Sequence, residues 1–586
     1  MKGFYGKLLI VDLTSRTWYT EAIPASWFEK LLGGKGLGSW LLLREVKAGT
    51  DPLGPDNVLI FANGPATGTV MPGGSRYGVY ARSPLTGAYA ESYAGGRVAL
   101  AFKGTGYDAV IIRGCAGAPV FIEIGPEQTA IRDAKDFWGL DAYAAEDALL
   151  GKVGVEGAQA VVIGPAGERL VRFACLQNNR WRSAGRTGLG AVMGSKNCKG
   201  VVFHGGLKAP VADEARLKAY VARLRAKCKG SPAQKFYNSL GTPGMVGLMN
   251  AAGALPTRYW SRGEYEDWDK ISGQYMQTNY KVRSRSCPLC PMGCAKLTTV
   301  PDGPHRGLMI EGPEYETLYA FGSLCCINRL DEIVYLNDLC DRYGIDTITA
   351  GNLVGLAMAA SERGRFPVRV AFGDAAAAVE LVTGMVTRSG PGALLADGIK
   401  EAAARLGLED LAVHVKGLEP AGYDPRVLKG MGLAYMTSTR GACHLRATFY
   451  KPELSGIIDP RTTKGKALLF TDYEDRLTIF NTMILCVFFR DFILWDDLSE
   501  LIAALTGREY TMPRLRGIAN RIVSLTRFFN VREGFSRADD ALPERFYREP
   551  LAGGGIEKGE MECMLDEYYV LRGWNSQGVP GYLDVK

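Results

Sequence analysis

The sequence predicts an α+β protein in which a mainly β base domain precedes two mainly α-helical domains. Over roughly the first two hundred residues, short runs of β-branched and aromatic residues alternate with loops rich in glycine and proline. Beyond them, apolar residues recur at the period of an α-helix. We therefore expect a β-rich base domain at 1–208 and helical domains at 209–413 and 414–586.

Six runs of the base domain are predicted strands, and the first of them is a short alternating strand close to the N-terminus. Many of the 73 glycines of the chain lie in the loops between these runs. Glycine lets the backbone approach a ligand closely, so these loops are suited to binding. The predicted strands are 7–12, 58–62, 109–112, 120–124, 160–163 and 200–203.

The helical part begins after residue 208, where the apolar pattern changes to the helical period. A second boundary is expected near 413–422, where a helix ending at Leu406 is followed by a predicted strand and then by Pro420. The clearest predicted helices are 214–229, 331–343, 350–361 and 374–387.

Composition limits the functional classes. A chain of 586 residues with 47% apolar and 22% charged residues has the composition of a soluble globular protein. A net charge of +7 is small for this surface, which argues against nucleic acid but suits an acidic electron carrier. The N-terminus has no secretory h-region, and no apolar run is long enough to span a membrane, so we expect a soluble cytoplasmic protein with mostly reduced cysteines.

The strongest chemical signal is a C-x2-C-x3-C run formed by Cys287, Cys290 and Cys294. This spacing lets a short loop place three soft thiolates around an iron–sulfur cluster, whose fourth ligand must come from elsewhere. A structural zinc site is the first alternative, although the chain has no second C-x2-C pair and no close histidine pair. Three unconnected core cysteines are the second alternative.

Two glycine-containing segments resemble ligand-binding turns. Residues 185–194 resemble a phosphate-binding loop with Arg182 and Arg186 close by, but no βαβ unit with a suitably placed acidic residue supports a dinucleotide fold. Residues 341–346 end a helix with a capping glycine and then supply a carboxylate. That carboxylate is either part of a cap or an acceptor for two parallel N–H groups of a heterocycle such as a pterin.

Two further segments carry proton-transfer groups. Residues 312–316 place two carboxylates in a loop, and residues 440–446 place one of only four histidines of the chain beside two arginines. A carboxylate and an imidazole can shuttle protons near a redox centre, whereas taken singly each is more often a capping or ion-paired residue.

These segments together resemble the tungsten-containing aldehyde:ferredoxin oxidoreductase family over essentially the whole chain. The resemblance implies a β-rich base that holds a tungsten bis-molybdopterin cofactor, covered by helical domains that hold a 4Fe-4S cluster. The matching segments are 6–14, 61–68, 74–77, 83–87, 104–109, 164–168, 190–197, 287–294, 311–316, 341–347, 423–426, His444 and 571–574.

The resemblance implies specific ligands. Cys287, Cys290, Cys294 and Cys486 would bind the cluster, with Arg76 between the cluster and a pterin. Molybdenum is an alternative to tungsten, and Mg²⁺ is expected to bridge the pterin phosphates. The remaining residues expected to bind the cofactor are Tyr93, Gly95, Arg182, Ser183, Gly185, Arg186, Asp341, Gly344, Asp346, Arg446, Asn481 and Leu485.

The family binds its two pterins with paired D-x-x-G-L-(D/C) motifs. The first is present at 341–346 with Ile345 in place of leucine. In the second, Asn481 stands where aspartate is expected and Ile484 where glycine is expected, whereas Cys486 is kept. We therefore expect one pterin to be held through an amide and a different turn.

The family's proton-handling pair corresponds to Glu316 and His444. The resemblance therefore implies reversible oxidation of an aldehyde to a carboxylic acid, with electrons leaving through the 4Fe-4S cluster to ferredoxin or an iron–sulfur subunit. Homodimeric members share an iron held by an acidic residue and a histidine, but Tyr335 occupies the acidic position and no histidine lies between His305 and His414. We expect no such iron and a hetero-oligomer instead.

Two other functions remain open. The same scaffold could serve a subunit that reduces another low-potential substrate, such as an aromatic acyl-CoA. Alternatively, the altered residues 481–484 would be consistent with a non-catalytic iron–sulfur protein that has lost its pterin site. Retention of Glu316 and His444 favours aldehyde oxidation over both.

Overall fold

The computed structural model describes residues 2–581. Its base contains two six-stranded sheets, ordered β2-β1-β6-β3-β4-β5 and β11-β10-β9-β12-β7-β8, and the helical part carries a three-stranded sheet, β13-β14-β15. The strands are β1 (Lys7–Asp12), β2 (Thr17–Ala22), β3 (Leu59–Ala62), β4 (Tyr77–Arg82), β5 (Tyr89–Ala94), β6 (Ala109–Arg113), β7 (Val120–Ile124), β8 (Thr129–Asp133), β9 (Gln159–Val162), β10 (Leu176–Asn178), β11 (Arg182–Ala184), β12 (Cys198–Phe203), β13 (Lys281–Arg285), β14 (Ala295–Thr299) and β15 (Met309–Glu311).

The two large sheets of the base pack against each other. Strand β1 pairs in parallel with β6, and β7 pairs in parallel with β12, while the other pairings are antiparallel. One face of each sheet contributes to a shared apolar core, for example through Leu9, Val110, Ile122 and Val201. Because side chains alternate between the faces of a strand, the next residues of β1 point to the opposite side, where helices cover them.

The helices pack against this base and against one another. They are α1 (Ala25–Leu31), α2 (Gly34–Glu45), α3 (Val98–Gly104), α4 (Ala142–Val153), α5 (Pro165–Glu168), α6 (Leu189–Ser195), α7 (Glu214–Cys228), α8 (Pro232–Ser239), α9 (Met245–Ala251), α10 (Gly273–Asn279), α11 (Tyr315–Thr317), α12 (Leu330–Tyr343), α13 (Thr347–Glu362), α14 (Ala375–Thr387), α15 (Ile399–Leu406), α16 (Lys429–Thr437), α17 (Tyr450–Leu454), α18 (Lys466–Met483), α19 (Trp495–Thr506), α20 (Met512–Arg532), α21 (Glu544–Arg548) and α22 (Lys558–Arg572).

The predicted fold class is confirmed. Each of the six predicted strands and four predicted helices corresponds to an observed element. The base also carries helices α1 to α6, which the strand pattern alone did not indicate. The predicted strand near 413–422 is wrong, because Lys416 and Gly417 take positive φ angles of 54° and 81° and fold the segment into a tight turn with one bridge between Val415 and Leu418.

The division of the helical part at 413 remains a prediction. One apolar core combines residues from both sides of it, including Leu353, Val413 and Phe470. Among residues 2–581, no helix is long and apolar enough to cross a membrane.

Candidate functional site

Four cysteines line one cavity of about 250 Å³. Cys287, Cys290 and Cys294 lie on the loop between β13 and β14, and Cys486 follows the end of α18. The backbone N–H of Cys486 donates to the carbonyl of Gly73 at 3.0 Å, which fixes this cysteine to the base domain. The fold therefore brings all four predicted cluster ligands together, although Cys486 is far from the other three in the chain.

The spacing of the sulfurs is wider than a single zinc ion requires. In a tetrahedral zinc site the bonds of about 2.3 Å require sulfurs about 4 Å apart. Within the described part of the chain, no three of these four sulfurs lie within 4.8 Å of one another. An added Cβ at Gly95 would lie 3.2 Å from Sγ of Cys287, so glycine is needed to leave this space open. The residues therefore fit a multi-iron cluster better than zinc.

The cavity holds cationic side chains beside the cysteines. Nη2 of Arg76 donates to the carbonyl of Tyr93 at 3.2 Å, and Arg182 forms an ion pair with Glu311. Burial raises the pKa of the Cys290 thiol to about 12, so a bound cation is needed to keep this thiol ionised. Five predicted cofactor residues line the cavity, namely Arg76, Tyr93, Gly95, Arg182 and Ser183.

A buried carboxylate connects this cavity with the second half of the site. Glu91 accepts hydrogen bonds from Lys35 at 2.9 Å and from the Tyr93 hydroxyl at 2.7 Å, and it forms an ion pair with Arg446. Although burial alone would raise the pKa of Glu91, Arg446 and Lys35 lower it to about 2. Sequence analysis missed Glu91 because its partners are distant in the chain.

The predicted catalytic residues meet in space. Nε2 of His444 lies 3.4 Å from Oε1 of Glu316, and the backbone N–H of Gly422 donates to Oε2 of Glu316 at 3.0 Å. Glu316 belongs to the short helix α11, which continues as a π-helical turn over Leu318–Ser323. Such turns are frequent at functional sites because they re-aim side chains.

Burial sets the protonation of this pair. It raises the pKa of Glu316 to about 8, despite the hydrogen bond from Gly422 and the charge of Arg186. It also lowers the pKa of His444 well below its usual range, and Arg186, Arg440, Arg446 and Arg490 lower it further. At neutral pH the pair thus consists of a largely protonated carboxyl group and a neutral imidazole.

Several buried polar atoms around this pair have no protein partner. Nδ1 of His444, Nε of Arg446 and Oγ1 of Thr448 are all unpaired, and Oε1 of Glu316 has only the 3.4 Å contact with Nε2 of His444. Buried polar groups are normally hydrogen-bonded, so these atoms fit a bound polar cofactor or substrate.

The predicted residue Arg186 binds another predicted residue. Nε of Arg186 donates to Asp346 at 2.9 Å, and Nη2 lies 3.3 Å from a carboxylate oxygen of Glu419. Oγ1 of Thr349, which has one proton to donate, lies 2.9 Å from Asp346 and 2.8 Å from Glu419. Asp346 is also the N-cap of α13, where its side chain accepts a hydrogen bond from the backbone N–H of Ile348 at 3.1 Å.

The two predicted pterin motifs end their helices in the same way. Gly344 caps α12 with φ of 74°, and Ile484 caps α18 with φ of 58°. Isoleucine rarely takes this left-handed conformation. The helix nevertheless ends with the same backbone turn, although Ile484 stands where the motif has glycine. Asp341 is partly buried and accepts from Nδ2 of Asn337 at 2.8 Å, whereas Asn481 and Leu485 lie at the end of α18 and just beyond it.

The glycines of the 185–194 loop serve backbone packing. A Cβ at Gly188, Gly190 or Gly194 would lie within 2.3 Å of a backbone oxygen of a neighbouring segment. Gly185 is less restricted, since its nearest neighbour would be Oγ of Ser183 at 3.1 Å. The phosphate-binding interpretation of this loop stays a prediction.

Sequence analysis missed Cys443, the neighbour of His444, whereas it had named His305 and Tyr335. Cys443 lies 2.9 Å from Nη2 of Arg440, and although burial opposes it, Arg440 lowers the pKa of this thiol to about 7. His305 lies in the loop between β14 and β15, where its Nε2 is 3.1 Å from Glu332 of α12 and its ring stacks on Tyr335 at 4.3 Å. The predicted absence of a shared iron remains a prediction.

Comparison with known proteins assigns the class. A sequence profile of the aldehyde ferredoxin oxidoreductase N-terminal domain matches residues 8–205, and a profile of domains 2 and 3 of the same enzyme matches residues 219–583. A tungsten-containing aldehyde ferredoxin oxidoreductase of Pyrococcus furiosus is 36% identical over 99% of this chain and 97% of its own length. Fold, site and comparisons define an oxidoreductase.

More distant proteins share the fold. The WOR-like subunit of an aliphatic sulfonate oxidoreductase of Pyrococcus furiosus is 29% identical over 99% of this chain and 96% of its own length. The solved active-site complex BamBC of benzoyl coenzyme A reductase superposes with a TM-score of 0.86 at 24% identity, over 99% of this chain and 96% of that one. The chain belongs to the aldehyde ferredoxin oxidoreductase family.

Proposed function

We propose that this protein is a tungsten-dependent enzyme that oxidises an aldehyde reversibly to a carboxylic acid. The reaction consumes one aldehyde and one water and yields a carboxylate, three protons and two electrons. The electrons pass to an iron–sulfur acceptor. The observation that carries the proposal is the buried Glu316–His444 pair with its unpaired atoms, linked through Arg446, Glu91 and Tyr93 to the four-cysteine cavity.

The protein's own residues handle the proton. Nδ1 of His444 has no partner and would accept a proton from the substrate, while Nε2 lies 3.4 Å from Glu316 and would pass one on. This relay requires ionised Glu316, so it becomes more effective above the carboxyl pKa of about 8. The hydrogen bond from Gly422 holds Glu316 in place for this transfer, and the charge of Arg186 offsets part of the rise in its pKa.

The cofactors follow from the family and the fit of the residues. Tungsten held by two pterins would supply the two-electron chemistry when bound, and molybdenum is the alternative. Cys287, Cys290, Cys294 and Cys486 would hold a 4Fe-4S cluster. Arg76 and Arg446 would contact the pterins, and Mg²⁺ would bridge their phosphates.

The electron partner is proposed to be an acidic ferredoxin or ferredoxin-like subunit. Leu289, between two of the cysteines, is 53% exposed, and the adjoining strand β13 presents Lys281, Arg283 and Arg285 to solvent. A cleft of about 640 Å³ beside the loop is lined by four arginines and three acidic residues, namely Arg97, Arg180, Arg182, Arg285, Glu146, Asp147 and Glu311. Basic surface around an exposed apolar residue suits an acidic partner that receives electrons there.

Elemental analysis of anaerobically purified protein for W, Mo, Fe and Zn, combined with aldehyde-dependent reduction of a viologen dye, tests the proposal. We expect about one tungsten and four irons per chain together with aldehyde oxidation. Iron without tungsten or pterin would instead support the electron-transfer alternative. Tungsten without activity on any aldehyde, but with activity on an acyl-CoA or a sulfonate, would favour the other substrates named for relatives.

A further inference from the structure

Trp181 lies at the boundary between the cysteine cavity and the surface cleft beside it. Both spaces are bordered by the same four residues, Trp181, Arg182, Cys287 and Glu311. Arg182 and Glu311 form an ion pair, and Cys287 is a predicted cluster ligand. The cleft is lined mostly by charged and polar side chains, so it will be filled with water. Trp181 therefore contributes a large apolar ring to the wall between this water and the cysteines.

The turn that carries Trp181 has an unusual backbone. Trp181 is the last residue of the three-residue loop between the antiparallel strands β10 and β11. The two residues before it, Asn179 and Arg180, take positive φ angles of 49° and 63°. Left-handed backbone is unfavourable for residues other than glycine, although asparagine tolerates it better than most. Such strain persists only where the surrounding structure holds it, and it is concentrated at functional sites.

A buried carboxylate holds this turn in place. Oε1 of Glu146 accepts a hydrogen bond from the backbone N–H of Asn179, and Oε2 accepts one from the backbone N–H of Arg180, each at 2.7 Å. Oδ1 of Asn179 also accepts from the backbone N–H of Arg97 at 2.7 Å. These bonds fix the backbone next to Trp181 and therefore the point from which its ring extends.

Packing, and not a hydrogen bond, positions the indole ring. Within residues 2–581, the buried Nε1 of Trp181 has no hydrogen-bond partner, although a buried indole N–H usually finds one. The ring meets the Tyr143 ring edge-on with the centroids 6.4 Å apart, and the guanidinium carbon of Arg285 lies 5.8 Å from its centre. The feature that this position uses is thus the bulk of the ring.

We propose that Trp181 shields the iron–sulfur cluster from the water of the cleft and so keeps its reduction potential low. The inference rests on the 4Fe-4S cluster of the proposed function. Reduction adds one negative charge to the cluster, and water stabilises this charge better than an apolar side chain does. A cluster open to water therefore has a higher potential than a shielded one. A low potential suits transfer of the electron to a ferredoxin, whose own potential is low.

The test is a redox titration of the anaerobically purified holoenzyme, followed through the EPR signal of the reduced cluster. Trp181→Ala should raise the midpoint potential of the cluster, because water would enter the space left by the ring. Trp181→Phe keeps an aromatic ring and should stay close to the wild type. Trp40→Ala is a matched control that should leave the potential unchanged, because Trp40 is also half-buried with an unpaired Nε1 but borders neither space.

Iron loss to a water-soluble chelator gives a second readout. The chelator must reach the cluster from solvent, so Trp181→Ala should lose iron several-fold faster than the wild type. Trp181→Phe and Trp40→Ala should lose it at the wild-type rate. If Trp181→Ala did not retain iron during purification, Trp181→Leu would be measured in its place, since leucine opens the wall less.

Three results separate the inference from the function on which it rests. An unchanged potential or an unchanged rate of iron loss in Trp181→Ala would overturn the inference. An equal shift of the potential in Trp181→Phe would overturn it too, because loss of the N–H group would then be the cause. A wild-type protein without a 4Fe-4S cluster would refute the proposed cofactor, whereas a cluster-containing protein that oxidises no aldehyde would refute only the proposed reaction.

Discussion

Nε2 of His444 lies 3.4 Å from Oε1 of Glu316, while Nδ1 on the opposite edge of the ring has no partner. This arrangement leaves Nδ1 available to a substrate and places Nε2 beside a proton acceptor. It makes the two residues a unit, because loss of either interrupts the same transfer.

Removing either member of this pair should impair catalysis without releasing the cofactors. We expect Glu316→Gln and His444→Asn each to lower aldehyde turnover about 10²-fold or more, as for loss of acid–base help. Tungsten and iron contents, measured on the same samples, should remain those of the wild type. The double variant should be little worse than either single variant. Near-normal turnover of either single variant would contradict the assignment.

The pH dependence should report on Glu316. Its pKa is raised to about 8 by burial, so the carboxylate form that accepts a proton becomes populated as the pH rises through this value. The rate of aldehyde oxidation should therefore increase, and the rate of acid reduction should decrease, across this range. In Glu316→Gln the step near this pH should be absent. An unchanged profile in that variant would assign the titration to another group.

The fold was largely predictable, whereas the site was predictable only in part. The C-x2-C-x3-C run is local, so its three cysteines could be recognised from spacing. Cys486, Glu316 and His444 required the family resemblance, because only the folded chain brings them to their partners. Glu91 gave no local signal, because it is defined by two cations that are distant from it in the chain.

Loss of Cys486 should remove the cluster. Cys486→Ala should lose iron and the absorption of the 4Fe-4S cluster, since three thiolates would remain in the cavity. Cys326→Ser is a suitable control, because Cys326 is partly buried but does not line the cavity. Metal analysis and visible absorption of both variants give the answer. A full complement of four irons in Cys486→Ala would mean that the fourth ligand lies elsewhere.

Glu91 should be important for stability. Glu91→Gln leaves the buried cations Lys35 and Arg446 without their carboxylate, so the free energy of unfolding should fall by about 3–5 kcal/mol. Denaturant unfolding checks this, with Glu362→Gln as a control at an exposed ion pair, where the change should be under about 1 kcal/mol. Because the pKa of Glu91 is lowered from 4.5 to about 2, its contribution should be lost as the pH falls between these values. A variant as stable as the wild type would refute this role.

The basic surface beside the cysteine loop should control electron transfer to an acidic partner. Arg283→Glu and Arg285→Glu reverse two charges on the exposed strand β13, next to the exposed Leu289. With an acidic ferredoxin as acceptor, each variant should raise the KM for ferredoxin several-fold and weaken its dependence on salt, since attraction between charged surfaces is screened by ions.

With a small viologen dye, turnover should be unaffected, because the dye needs no docking surface. Arg363→Glu, at the exposed end of α13, should change neither acceptor. Equal effects of all three substitutions on ferredoxin would show that only the overall charge matters and that electrons leave at another surface.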